Sequence, residues 1–196
     1  MIGLPEDSLE KCLYSARETV KLKPSIARLY PTIVIEDTPL MKLYQKGIYH
    51  PLTIDEAVSV TKEMYKILTD AHIQIIRVGL KSSDLIREGG SISGSTFHPA
   101  FRQLVEGEIA REKMEALLKD TILLIEEDCP QTHLLQKDIT FFSSSKWFSC
   151  MIGHKGCNKA YFQAKYPGLN IHYNTRTLPD GQIAIAIAGA LHPVVK

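Results

Sequence analysis

The stretch that decides the fold is Leu29-Tyr30-Pro31-Thr32-Ile33-Val34-Ile35, which ends at the turn-forming Glu36-Asp37-Thr38-Pro39. An apolar, β-branched run without polar alternation is typical of a parallel strand buried on both faces. A second run of this kind extends from His72 to Leu80, and apolar residues at helical spacing between Ile54 and Leu68 separate the two. Strands that alternate with helices in this way predict an α/β fold built from right-handed parallel βα units.

Composition narrows the class of protein. The chain has 196 residues, 44% hydrophobic content, and 23 Lys and Arg against 22 Asp and Glu, for a net charge of +1. A near-neutral chain carries no global field for nucleic acid or acidic membranes, so any such contact must come from a local patch. No apolar run approaches the roughly 20 residues that a membrane-spanning helix needs. We therefore predict a cytoplasmic protein with no membrane partner and, from four scattered cysteines, reduced thiols.

The pattern changes after Lys119, and we place a domain boundary near residue 120, giving domains 1–120 and 121–196. Within the second domain the sequence predicts a strand at 121–127 and helices at 143–152 and 157–166. Alternating residues at 169–176 and 182–188, around the turn signal Leu178-Pro179-Asp180-Gly181, predict a hairpin.

Several segments of the first 118 residues carry a family resemblance in combination. They are Gly3-Leu4-Pro5, the Tyr30–Ile35 run with Thr38-Pro39-Leu40, Arg77-Val78-Gly79-Leu80, and Phe97-His98-Pro99-Ala100-Phe101. Together they resemble the later barrel strands of radical S-adenosylmethionine (SAM) enzymes, close to the Elongator catalytic subunit and the coproporphyrinogen oxidase-like group. The resemblance implies a partial parallel (β/α) barrel, of TIM-barrel type, from a SAM-dependent iron–sulfur oxidoreductase.

This resemblance implies a set of residues that line the SAM side of the barrel. Glycines after parallel strands let backbone groups approach a nucleoside closely, at the strand ends where such folds place their ligands. The implied cofactor-binding residues are Gly3, Pro5, Tyr30, Pro31, Arg77 and Gly79. The alternative is structural, with the two glycines as turn formers, Tyr30 in the core and Arg77 as a paired rim charge.

The sequence lacks the cysteine motif that would hold the iron–sulfur cluster of this family. The family holds a [4Fe–4S] cluster with Cys-x-x-x-Cys-x-x-Cys, and no such triplet occurs here. We therefore expect no cluster on this chain, identify no catalytic residue, and expect an isolated chain to be inactive. The missing barrel half would come from a preceding segment, a cluster-bearing partner or a second copy. The spacing Cys150-x-x-x-His154-x-x-Cys157 only imitates the motif, and we assign no metal to it.

The segment Gly153-His154-Lys155-Gly156 lies between two predicted helices. With the surrounding elements it resembles the core of a KH domain, whose Gly-x-x-Gly loop clamps a nucleic-acid backbone. The resemblance implies RNA binding, with transfer RNA as a possible partner, through the four turn residues and Lys159. Lys146 and Lys165 are predicted neighbours, and Ile152 and Phe162 the groove floor. The alternative is a plain helix–helix turn in an interaction domain.

Three further segments of the sequence each have a functional and a structural interpretation. The Gly- and Ser-rich segment 88–95 is either a functional loop or a connector. His98 before Pro99 is either a proton carrier or a helix-entry cap. Glu126, Glu127 and Asp128 are interpreted as a solvated charge run rather than acid–base carboxylates.

Overall fold

The structure is a computed structural model, and it describes residues 1–81, 92–93, 96–128, 138–187 and 194–195. For residues 92–93, 124–128 and 194–195 only the backbone is described. Cys129 and most of the 88–95 segment therefore lie outside the described residues. The chain divides into two compact units, residues 1–105 and 106–196. The boundary near residue 120 remains a prediction about independent domains.

The first unit has three parallel strand segments at its centre. Strand β1 (Ile26–Leu29) pairs in parallel with β3 (Gln74–Val78), and Ile2 forms a parallel bridge with Pro31 on the other side of β1. The Ile2 N–H donates to the Tyr30 carbonyl at 3.0 Å, and the Thr32 N–H donates to the Ile2 carbonyl at 2.8 Å. The order of the segments is therefore Ile2, β1, β3, with all carboxyl ends on one edge.

Two amphipathic helices, α1 (Leu9–Lys21) and α3 (Ile54–Asp70), pack against each other, and α3 packs on β1 and β3. Each begins at a side-chain cap that satisfies otherwise unpaired amide groups. Ser8 caps α1, and Thr53 forms a capping box with Glu56 at the start of α3. The buried faces contribute to the core: Cys12 and Ala16 from α1, and Ala57, Val58, Thr61, Met64 and Leu68 from α3.

The apolar run over residues 29–35 does not form the one continuous strand that the sequence predicts. The chain leaves β1 after Leu29 and forms a separate short strand, β2 (Val34–Ile35), which pairs antiparallel with β4 (Ile92–Ser93). Pro31, which has no N–H group for a ladder, lies at the break. Helix α2 (Pro39–Gln45) follows, and its Met41 joins Val34 and Tyr49 in a small buried cluster.

The second unit consists of the following elements in chain order: α4 (Phe101–Asp128), which starts in the first unit, β5 (Asp138–Ser143), α5 (Phe148–Ile152), a 3-10 turn (His154–Gly156), α6 (Cys157–Lys165), β6 (Asn170–Thr175), β7 (Ile183–Ile187) and β8 (Val194–Val195). The four strands form one sheet in the order β6, β5, β7, β8. The predicted hairpin is wrong, because β5 lies between its two strands. Strand β5 pairs in parallel with β6 and antiparallel with β7.

The strand predicted at 121–127 is also wrong, since helix α4 continues without interruption to Asp128. The β-branched run at Thr121 and Ile122 suggested a strand, but Leu117, Leu118 and Thr121 are buried at helical spacing on the preceding turns. The first strand of the unit is instead β5, whose inward residues Ile139, Phe141 and Ser143 alternate with more exposed neighbours. The helix predicted from residue 143 begins only at Phe148.

The chain is thus a mixed α/β protein with small sheets, as the sequence predicts. In the described part of the chain no helix is long and apolar enough to cross a membrane.

Candidate functional site

The carboxyl ends of the three parallel segments bring four of the predicted residues to one edge. Gly3 follows the Ile2 bridge, Tyr30 and Pro31 follow β1, and Gly79 follows β3. The Gly79 N–H donates to the Leu29 carbonyl at 2.9 Å, which extends the β1–β3 pairing to the strand end. Arg77 lies on the same strand, two residues before Gly79. Pro5 is exposed in the turn after Gly3.

Gly3 is held on both sides by groups of its own chain. Its N–H donates to Asp7 Oδ2 at 3.0 Å, and its carbonyl accepts from the Tyr49 hydroxyl at 2.6 Å. Its φ of +77° favours glycine, and a Cβ there would lie 3.0 Å from Leu52 Cδ1. Both backbone hydrogen-bonding groups of Gly3 are therefore already used, and this residue shapes the strand end rather than offering these groups to a ligand.

Asp7 and Tyr49 thus form a clamp around Gly3. Nothing in the sequence alone indicates this role of Asp7. Besides Gly3, its carboxylate accepts from the Ser8 N–H at 2.9 Å and the Cys12 thiol at 3.1 Å. Burial alone would raise the Asp7 pKa, but the hydrogen bonds from Cys12, Gly3 and Ser8 outweigh it, and the pKa is lowered. Burial and the neighbouring Asp7 carboxylate raise the pKa of Cys12 to about 11, so this thiol is not a nucleophile at neutral pH. A pocket of about 290 Å³ adjoins the clamp.

Gly79 is required by close packing. Its φ is +78°, and a Cβ there would lie 2.8 Å from the Cβ of Phe101, at the start of α4. Phe101 is almost fully buried. The glycine therefore lets the chain turn at the carboxyl end of β3 while α4 begins directly against it. His98 acts as a helix-entry residue, because its Nδ1 accepts from the Ala100 N–H at 3.1 Å.

The six predicted residues differ in their access to a ligand. Pro31 and Gly79 are buried, so they act on the site through backbone geometry. Tyr30 is half-buried and Arg77 is exposed, which leaves an aromatic ring and a guanidinium as groups that can touch a ligand. Arg28, which sequence reasoning missed, is also exposed and lies opposite Arg77 in the β1–β3 register. Arg28 is identified only by its pairing with Arg77 on the neighbouring strand, and the sequence alone does not define that pairing.

In the second unit the glycine turn has unusual backbone geometry. Gly153 has φ +81° and ψ 162°, and Gly156 has φ +78° and ψ 17°. Lys155, between them, has φ +52° and is exposed. A Cβ on Gly153 would lie 2.6 Å from Cys157 Sγ, whereas a Cβ on Gly156 would meet nothing within 4 Å. Gly153 is therefore fixed by packing, and Gly156 faces open space.

A buried asparagine supports this turn. Asn158 is fully buried, and its Nδ2 is within hydrogen-bond distance of the carbonyls of Gly107 (2.8 Å), Cys150 (3.2 Å) and Met151 (3.3 Å). Two of these carbonyls belong to α5, which lies just before the turn, and one belongs to α4. The Asn158 side chain thus connects both sides of the turn and holds its shape.

The basic residues around the turn divide into paired and unpaired ones. Lys146 pairs with Asp180 at 2.6 Å, and Lys165 pairs with Glu115, so neither is available as predicted. Lys155 and Lys159 are exposed and have no ion pair or hydrogen bond within the described residues. Lys159 lines a groove of about 230 Å³ between α6 and β6. The expectation that Phe162 forms a groove floor is wrong, because this ring is fully buried and packs against Phe141.

The residues that the structure describes do not fit an iron–sulfur cluster. The cysteines lack the family triplet, and the described residues contain no group of three His, Cys, Asp or Glu that could hold a metal ion. At the imitation motif, the buried Cys150 thiol lies 3.5 Å from Glu106 Oε2, and Cys157 is exposed. We derive no chemical step through a cluster on this chain.

Residues 24–111 match the family model described as the Radical_SAM C-terminal domain. This match supports a radical SAM C-terminal segment. It includes β1, β3 and the start of α4, and so Tyr30, Pro31, Arg77 and Gly79 of the predicted site. In that family SAM and a [4Fe–4S] cluster are the cofactors. A comparison with curated proteins found no match.

Proposed function

We propose that residues 1–105 supply the later strands of a radical SAM barrel and, at their carboxyl ends, one half of a SAM nucleoside site. The observation that carries the proposal is the convergence of Gly3, Tyr30–Pro31 and Gly79 on one edge of parallel strands. Ligands of βα proteins bind at this edge. The family match to residues 24–111 supports the same assignment.

The chain's own residues have separate roles in this proposal. Asp7 and Tyr49 hold the turn at Gly3, and Gly79 brings α4 close to the strand end. The Tyr30 ring provides a half-buried surface for a nucleoside. Bound SAM would supply the reactive sulfonium group. Electron delivery would need a cluster held elsewhere, by a partner or another segment, so we assign this chain substrate binding and not reductive cleavage.

Calorimetric titration with methylthioadenosine, a nucleoside that lacks the amino-acid part of SAM, tests this proposal. We expect millimolar or tighter binding by the wild type, retention in Tyr30→Phe, and loss in Tyr30→Ala. The matched control is Tyr14→Ala, which removes a 62% exposed tyrosine on α1. The proposal fails if the wild type does not bind, or if Tyr30→Ala and Tyr14→Ala bind equally well.

A second candidate function is RNA binding by the second unit, in line with its resemblance to a KH-like core. The specific observation is that Lys155 and Lys159, on the turn and on α6, are exposed and unpaired within the described residues. Open space around Gly156 would let a phosphate approach the backbone of the turn. This function would also suit a transfer-RNA-modifying enzyme or a non-catalytic RNA-binding module.

Fluorescence anisotropy with transfer RNA decides between this function and a plain helix–helix turn. We expect Lys155→Ala with Lys159→Ala to weaken binding and to reduce its salt dependence, because two phosphate contacts are lost. Lys119→Ala, at an exposed lysine of α4, is the control. Equal affinity of the double variant and the control would contradict RNA binding at the turn.

A further inference from the structure

The pairing of β1 with β3 contains an irregularity that places two arginines side by side. Ala27 is opposite Ile75, but Arg28 is opposite Arg77, so Ile76 is an extra residue in β3. Without it, Arg28 would be opposite Ile76. Such bulges redirect a side chain and recur next to active sites.

Both arginines lie on the exposed face of this sheet. The following pair, Leu29 and Val78, is buried at 3% and 7% exposure, and side chains alternate between the faces of a strand. Arg28 and Arg77 are exposed. Ile26 and Ile76 are 52% and 39% exposed, so apolar surface lies near the arginines.

The two guanidinium groups have no counter-charge in the part of the chain that is described. Neither arginine has a hydrogen bond, ion pair or ring contact there. Like charges directly opposite each other on neighbouring strands are destabilising. Two arginines at paired positions of neighbouring strands can also offer N–H donors to the same anion, and their planar groups match the oxygens of a carboxylate or a phosphate.

We propose that Arg28 and Arg77 form a binding site for a carboxylate or phosphate group, each arginine two residues before the edge marked by Tyr30 and Gly79. The anion neutralises both arginines and so relieves the repulsion between their like charges. The ligand is an anionic metabolite whose charged group is either a carboxylate or a phosphate. The inference stands on the arginine geometry and does not require that the nucleoside proposal be right.

Three probes separate the sources of the anion. S-adenosylhomocysteine carries nucleoside and carboxylate, methylthioadenosine carries the nucleoside alone, and pyrophosphate carries phosphate alone. Each is titrated calorimetrically into the full chain and into Arg28→Gln and Arg77→Gln. Arg17→Gln, at an exposed arginine of α1, is the control. Loss of one charge-assisted contact should weaken anion binding about tenfold or more in each variant.

The outcomes are distinct. A loss for S-adenosylhomocysteine assigns the site to a carboxylate, and a loss for pyrophosphate alone assigns it to a phosphate. Methylthioadenosine binding should be equal in all four proteins, and its absence would sink the nucleoside proposal while leaving the anion site intact. The anion site is overturned if neither anion binds the wild type at millimolar concentration, or if both arginine variants behave like the control.

A stability measurement gives an independent readout. Without ligand, Arg77→Glu should raise Tm above that of Arg77→Gln, because an opposite charge then faces Arg28. An Arg77→Glu protein that melts below Arg77→Gln would mean that Arg28 does not lie beside this position, and would overturn the proposal.

Discussion

At the residue scale, glycines with positive φ determine the shape of both candidate sites. Gly3 and Gly79 turn the chain at the carboxyl ends of parallel segments, and Gly153 and Gly156 bound the turn between α5 and α6. They differ in what surrounds them. A Cβ at Gly79 or Gly153 would lie less than 3 Å from a neighbouring atom, whereas Gly156 faces open space. A side chain at Gly79 or Gly153 would therefore clash with its neighbours, whereas a side chain at Gly156 would not.

Gly153→Ala should lower the free energy of unfolding by about 3 kcal/mol or more, because the φ/ψ of Gly153 is nearly exclusive to glycine and the methyl group would strike Cys157. The control, Gly156→Ala, should cost only about 1 kcal/mol, since its left-handed conformation is the main penalty. Urea unfolding measures both. Equal losses would show that Gly153 is not confined as described.

Asp7 predicts a defined pH dependence. Its pKa is lowered below the ordinary 3.8 in the folded state. The ionised carboxylate therefore contributes stability that is present above the unfolded pKa and is lost as pH falls through the folded pKa. Asp7→Asn should be less stable at neutral pH and should lose less stability between about pH 4 and pH 2 than the wild type. Parallel acid-unfolding curves for the two proteins would contradict the clamp at Gly3.

At the element scale, the junction of α5 and α6 depends on one buried amide. Asn158→Ala should cost about 2 kcal/mol, because the carbonyls of Gly107, Cys150 and Met151 lose a buried donor. Asn158→Asp should cost more, since a carboxylate oxygen would replace the donating Nδ2 against those carbonyls. Thermal and urea unfolding compare the variants. If Asn158→Asp is as stable as the wild type, the amide does not hold this junction.

The elements that the sequence predicts well are those with a local signal. The helical spacing after Ile54 predicts α3, and the run from His72 to Leu80 predicts β3, whereas β1 lies almost entirely before the run at residues 29–35. The wrong predictions concern the length of helix α4 and the pairing of strands β5, β6 and β7. Thr121 and Ile122 favour a strand locally, but they continue a long helix, and nothing local reveals that β5 separates β6 from β7. Burial at helical spacing overrides the local strand propensity in the first case, and long-range strand pairing decides the second.

The same distinction applies to the candidate sites. Gly3, Tyr30 and Gly79 could be picked from the family resemblance, and the two glycines are also required by their positive φ. Asp7, Tyr49 and Arg28 could not, since their roles come from the partners that the fold brings to them. The sequence also does not show which lysines form ion pairs. Lys146 and Lys165, which it suggested as RNA contacts, are paired with Asp180 and Glu115.

At the scale of the whole molecule, the parallel segments form an open arrangement in the described part of the chain. Apart from β1, no described strand pairs with β3, and Ile26 and Ile76 are exposed on the sheet. Unpaired strand edges and exposed apolar residues favour association with another chain. A second copy, or a chain carrying the other part of a barrel, would meet this requirement.

We therefore expect the chain to self-associate at micromolar concentration through this sheet, in competition with anion binding at Arg28 and Arg77, because both use the same exposed face. Sedimentation equilibrium should show a dimer, and Ile26→Thr with Ile76→Thr should shift it toward monomer. Leu22→Thr, at an 81% exposed residue after α1, is the control. A wild-type monomer over the whole concentration range would rule out a second copy as the partner of this sheet.

Chemical-shift mapping can locate a nucleoside residue by residue at the carboxyl ends of the parallel segments, where we propose that half of its site lies. In ¹⁵N-labelled protein titrated with methylthioadenosine, the largest shifts should occur at the amides of Gly3, Tyr30 and Gly79, with little change in β6 and β7. Shifts that are absent at millimolar nucleoside, or that concentrate in residues 138–187 instead, would contradict the account.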